Sequence, residues 1–141
     1  MRELIQFILV CAFLAVANAA VSASEHSVSK AQALDGMQFG GVTGEQGKEK
    51  DHEDTISFEN GAFRSLDCEG WGFGPAPYTV EKVGPSYHFS ATLLSAERGR
   101  LDWRGIITGD TAEATFNWRH QRWYWDIDRQ YWFKGVRYTG E

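Results

Sequence analysis

The sequence predicts an all-β protein: an antiparallel up-and-down β-barrel of about eight strands. Three observations carry this prediction. Between Ser86 and Thr115 the side chains alternate between two kinds, and only Gly99 and the Gly109-Asp110 pair break the alternation. Asn60-Gly61 separates two short β-prone runs, a strong local hairpin signal because both central turn residues must reach positive φ. No amphipathic helical period is present to cover an open sheet, so a sheet of this size has to close or fold over itself.

The elements follow in order. Residues 1–20 lie outside the fold: Arg2 gives a short positive start, Leu4 to Val16 is apolar apart from Gln6, and Ala17-Asn18-Ala19 is a small-x-small cleavage site. That is the pattern of a secretory signal peptide. A transmembrane anchor needs about 20 apolar residues, and this run is shorter. A second cut is available after Val21-Ser22-Ala23, and Val10 ahead of Cys11 does not suit lipid attachment. The mature chain is therefore expected in the periplasm or secreted, soluble, with no transmembrane anchor after cleavage. Residues 21–33, rich in Ser and Ala with Glu25, His26 and Lys30, read as a flexible lead-in, and residues 34–141 as a single β-barrel domain.

A first strand is expected over Leu34, Met37 and Phe39, ending at Gly40-Gly41. Gly44 to Asp54 mixes Gly with alternating charge and has no apolar anchor, so it reads as a loop or polar turn. Thr55–Phe58 and Ala62–Ser65 flank the Asn-Gly turn. Leu66 to Pro77 holds too much Gly and Pro for regular structure, and it contains Cys68. Strands then run from Tyr78 to Val83, Tyr87 to Ser95, Leu101 to Thr108 and Ala112 to Trp118. After an aromatic loop from Arg119 to Asp128, a last strand covers Gln130 to Tyr138. Period two places Tyr87, Phe89, Ala91, Leu93, Leu101, Trp103, Gly105 and Ile107 on one face, with Ser86, His88, Ser90, Thr92, Asp102, Arg104 and Thr108 on the other.

Composition narrows the function classes. The formal net charge is −5, and the basic residues are dispersed, with Arg119, His120 and Arg122 the tightest group. Nucleic acid needs a continuous positive footprint, so no nucleic-acid partner is expected. After cleavage only Cys68 remains of the two cysteines, so no intrachain disulfide forms and stability must come from the core. Six Trp, five Tyr and most of the nine Phe lie in the mature chain and supply the material, since each buried ring removes a large apolar area from water.

The series Asp54-Thr55-Ile56-Ser57-Phe58, Asn60-Gly61-Ala62-Phe63, Cys68, Gly72-Phe73, Tyr78, Phe89-Ser90-Ala91, Ser95, Gly99, Trp103-Arg104-Gly105, Gly109-Asp110, Trp118 and Tyr131-Trp132-Phe133-Lys134-Gly135 resembles small exported bacterial proteins of the lipocalin-like, or calycin-like, kind. The resemblance spans nearly the whole mature chain. It implies a small β-barrel with room for an interior cavity, and it leaves function to be argued from the site. The Gly-x-Trp of the lipocalins proper is absent, Phe39 standing where Trp would be.

No catalytic constellation is recognised: no nucleophile elbow, phosphate loop or acid pair appears. Cys68 sits between Asp67 and Glu69, whose charge makes a thiolate scarcer, so it reads as a buried loop thiol rather than as a nucleophile paired with His88. His26, His52, His88 and His120 share no metal spacing. Asp126 and Asp128 read as loop charges opposing Arg119 and Arg122. No metal and no cofactor is expected. Trp123-Tyr124-Trp125 has two readings: rings exposed for a ligand or partner, or rings tucked under the barrel end.

Two functions follow. In the first, which the sequence favours, a non-catalytic exported barrel binds a small, largely apolar ligand in its interior, with Phe63, Tyr78, Phe89, Trp103, Phe116 and Phe133 as lining or core. In the second, a periplasmic protein-interaction or inhibitor module acts on a protein partner through Trp123 and Trp125. A roomy ring-lined cavity favours the first; a filled interior beside an exposed aromatic patch favours the second.

Overall fold

Asn60 and Gly61 take φ of 51° and 75°, the pair of positive values that a two-residue hairpin demands. They join β2 (His52–Glu59) to β3 (Ala62–Ser65), with Glu59 opposite Ala62 and Phe58 opposite Phe63. The structure, a computed structural model, describes residues 32–139. The expected signal peptide and the lead-in through residue 31 lie outside the described residues.

The remaining strands are β1 (Gln38–Glu45), β4 (Ala76–Val83), β5 (Ser86–Ser95), β6 (Gly99–Thr108), β7 (Thr111–His120) and β8 (Ile127–Arg137). Each pairs antiparallel with its sequence neighbour, and β8 returns to β1, giving a closed eight-stranded up-and-down barrel. The alternating face from Phe89 to Ile107 points inward: Phe89, Ala91, Leu93, Leu101, Trp103 and Ile107 are all buried.

The first strand departs from expectation. β1 does not end at Gly40-Gly41 but runs through both to Glu45. Gly41 sits opposite Gly135 of β8, and a Cβ on Gly41 would strike the Lys134 carbonyl oxygen and lie 2.6 Å from the Gly135 Cα. Glycine here is the condition for closing the barrel seam, not a strand terminator. Leu34 belongs instead to a turn over residues 32–36, where its side chain is fully buried. The Asp35 carboxylate accepts from the Tyr78 hydroxyl at 2.7 Å and the Gly61 N–H at 3.0 Å, latching this turn across one barrel end.

Two further boundaries move. β2 starts at His52, inside the expected polar loop, and β8 starts at Ile127. The aromatic loop therefore shrinks to residues 121–126. Leu66–Gly70, expected to be irregular, is a short helix, α1. Ser65 caps it by accepting the Cys68 N–H at 3.1 Å, and Asp67 and Glu69 lie in the first turn, where a helix favours negative charge. Because α1 intervenes, β3 and β4 pair over only two positions, Ala62 with Pro77 and Phe63 with Ala76.

Candidate functional site

The barrel interior is built from rings in mutual contact. Phe63 lies 5.0 Å from Trp103 and 5.5 Å from Phe89, and Trp103 stacks on Phe116 at 4.2 Å between centroids. Phe133 meets Trp103 edge-on at 6.2 Å. Tyr78 joins through Phe58, 5.0 Å away. All six residues predicted to line or fill the interior are thus buried and brought together. Sequence reasoning did not single out Phe58, which touches Phe63, Tyr78 and Phe89, or Tyr131, stacked on Phe116 at 5.0 Å. The face parity of β2 and β8 held that information.

A polar cluster interrupts this interior where β2 meets α1. Asp54, buried and inward, accepts from the Ser65 hydroxyl at 2.5 Å and the Asp67 N–H at 2.9 Å. Burial pushes the Asp54 carboxyl above its ordinary value, and these two hydrogen bonds only partly oppose it. On the outside, Arg64 grips Glu69 through two bonds of 2.7 and 2.6 Å, so α1 is pinned from both sides.

Cys68 hangs from α1 into this core. Burial pushes its thiol up to about 12, with the Asp54 and Asp67 charges adding to the rise. A thiol held there is almost wholly protonated at neutral pH and is a poor nucleophile. His88 is exposed on the opposite wall face, so the structure does not bring the two together. Among the described residues no group of three His, Cys, Asp or Glu is placed to hold a metal ion. Asp128 stands 4.0 Å from Arg119 across β7 and β8, and no described helix is long and apolar enough to cross a membrane.

The loop joining β7 to β8 is the opposite of a core element. Trp123 is 95% exposed, Trp125 62% and Tyr124 47%. The three rings hold one another edge to face, with centroids 5.1 and 4.5 Å apart at 85°. Arg122 donates to the Tyr124 hydroxyl at 2.9 Å and lies over its ring. The rings do not tuck under the barrel end. They project from it as a self-supported cluster, separate from the interior set.

A second surface feature spans five strands. Register places Thr79, Ser90, Arg104, Thr115 and Trp132 in one outward row, and Glu81, His88, Ile106, Glu113 and Lys134 in the next. Together with Gln46 and Gly47 they line an open groove of ≈ 1110 Å³. Its floor is the backbone at Phe89, Gly105, Ala114 and Phe133, which lie between the rows and turn their side chains inward or have none. Nothing in the linear sequence marks this groove, because it exists only once register is fixed.

No family model, curated protein or solved structure matches the chain. The class that fold and surface define is a closed antiparallel β-barrel whose inward rings pack on one another and whose rim carries an exposed aromatic cluster.

Proposed function

We propose that this protein is a non-catalytic, exported binding module that acts through its surface, with the Trp123-Tyr124-Trp125 cluster as its contact for a protein partner. One observation carries the reading: a tryptophan at 95% exposure, flanked by a second at 62%. An exposed Trp keeps its large apolar area in water, at a cost of several kcal/mol relative to burial, on the order of 25 cal/mol per Å². Tyr, Trp and Arg are the residues that most often carry binding energy at interfaces, and Arg122 stands against the cluster.

Two further observations support a surface role over an interior ligand. The inward rings contact one another at centroid distances of 4.2–6.2 Å, so a guest would have to displace them. The thiol of Cys68 is protonated and buried, which supports binding rather than catalysis. Export, and kinship with lipocalin-like barrels, belong to this proposal through the N-terminal pattern and the strand order.

The test is quantitative co-precipitation from an extract of the compartment outside the cytoplasm, comparing the natural protein with Trp123→Ala/Trp125→Ala. Loss of the bound protein at unchanged melting temperature supports the reading. Retained binding, or a large loss of stability, overturns it.

A further inference from the structure

We infer that residues 79–83 of β4 form a docking edge for an extended segment of a partner protein, one that reads acidic, basic, apolar from its N-terminal side. The argument begins with hydrogen-bond parity. β3 pairs with β4 only at Ala76 and Pro77, and the last bond on that side runs from the Tyr78 N–H to the Gly61 carbonyl at 3.2 Å. In an antiparallel strand every second residue turns both its N–H and its C=O to the same neighbour, so Val80 and Lys82 face the way Tyr78 does. Thr79, Glu81 and Val83 face β5, where Val83 pairs with Ser86 across the two-residue Gly84-Pro85 turn. Among the described residues nothing bonds to the backbone of Val80 or Lys82 on the open side. A Cβ built on Gly61 or on Gly84 meets nothing within 4 Å, so both ends of this edge are uncovered.

Two donors and two acceptors spaced along a strand select a polypeptide backbone. The side chains select its sequence. Glu81 is exposed on the outer face and, among the described residues, is in no salt bridge. Val80 and Lys82 share the other face: Val80 packs half-buried against the core, and the Lys82 ammonium lies 5.8 Å from the Tyr87 ring centre. A strand paired antiparallel through Val80 and Lys82 sets one residue opposite each position in turn. An acid suits Lys82, a base Glu81 and an apolar residue Val80.

A second copy of the chain does not fit this edge. Setting Glu81 against Lys82 of the copy pairs Val80 with Val83 of the copy, whose N–H turns toward its own β5, so the backbone bonds are lost. The register that keeps them, Val80 against Lys82 of the copy, brings the two Glu81 side chains together. Moving that register by two residues brings the two Lys82 side chains together in one direction and runs the copy into Gly61 in the other. Like charges directly opposite one another destabilise a strand pair, so the edge is guarded against itself and open to a strand of complementary charge. It is also independent of the aromatic rim: the Asn60-Gly61 and Gly84-Pro85 turns share one barrel end, and residues 121–126 lie at the other.

The test uses the full mature protein labelled with nitrogen-15. In the free protein the Val80 and Lys82 amides should exchange rapidly with solvent while those of Thr79 and Glu81 are protected. Titration with the blocked peptide Thr-Thr-Glu-Arg-Val-Thr-Thr should shift the Val80 and Lys82 amides saturably and slow their exchange. The charge-swapped peptide Thr-Thr-Arg-Glu-Val-Thr-Thr should bind about fivefold more weakly, and Glu81→Lys/Lys82→Glu should invert that preference. Lys82→Pro removes an outward N–H and no bond to β5, so it should abolish binding while the Thr79 and Glu81 amides stay protected. The inference is overturned if the Val80 and Lys82 amides are already protected in the free protein, if neither peptide shifts them, or if the two peptides bind alike. Protection that grows with protein concentration, the mark of a second copy on the edge, also overturns it.

Discussion

Phe63→Ala tests whether the barrel is filled by its own side chains. Phe63 is fully buried and lies 5.4 Å from Phe58, 5.5 Å from Phe89 and 5.0 Å from Trp103. In a filled interior its removal forfeits the burial of the ring and leaves a cavity, because neighbours held on different strands cannot collapse into the gap. Phe→Ala at such a site costs about 3–5 kcal/mol. For a domain near 100 residues that lowers the melting temperature by roughly 12–20 °C. In a hollow interior Phe63 would be a wall residue facing a guest or water, and truncation would cost far less. Urea unfolding followed by tryptophan fluorescence reads the difference, with the slope checked to be unchanged. The variant should also acquire affinity for a small apolar probe such as benzene, with no binding expected for the natural protein. A loss below about 1 kcal/mol, or benzene binding by the natural protein, would refute the filled interior.

Three other outcomes follow from the same geometry. Gly41→Ala should cost about 3 kcal/mol or more, because the new Cβ runs into the β8 backbone at Lys134 and Gly135; Gly74→Ala, with open space around it, serves as the control in thermal denaturation. Asp54 has a raised folded-state pKa, so its contribution is greatest below the unfolded value and is lost as pH rises toward the folded one. Asp54→Asn keeps an acceptor for the Asp67 N–H and should flatten that part of the stability profile on the acid side of neutrality, read as the difference in melting temperature between the two proteins. Cys68, with its thiol at about 12, should resist iodoacetamide at pH 8 in the folded protein and react readily in urea; rapid reaction of the folded protein would contradict its burial.

Much of this architecture was legible in the sequence, for local reasons. The Asn60-Gly61 turn depends only on the φ that those two residues tolerate, and β5 to β7 depend on a two-residue period that one wetted face enforces. What was not legible is long-range. Gly40 and Gly41 look like a stop until the chain around β8 is laid against them: Gly41 lets Gly135 approach, and Gly40 leaves room for the Tyr138 ring. Leu66–Gly70 looks irregular beside Gly70, Gly72, Gly74 and two prolines, yet Ser65 ahead of two acidic residues was a usable capping signal. Asp54 shares the inward parity of Ile56 and Phe58, so its burial could be read only by accepting a charge in the core, which its bonds to Ser65 and Asp67 make tolerable. The candidate surfaces divide likewise: Trp123 to Trp125 stand out in the sequence, whereas Arg104, Glu113 and Trp132 meet only through register.

The central claim, that the aromatic rim is the working surface, is tested most directly by site-specific photocrosslinking in the living cell. A benzophenone amino acid is placed at Trp123 and, as a control, at Thr92 on the outer wall. Recovery of one discrete protein adduct from position 123, and none from position 92, is the predicted result. No adduct at 123, or the same adducts from both positions, would contradict it.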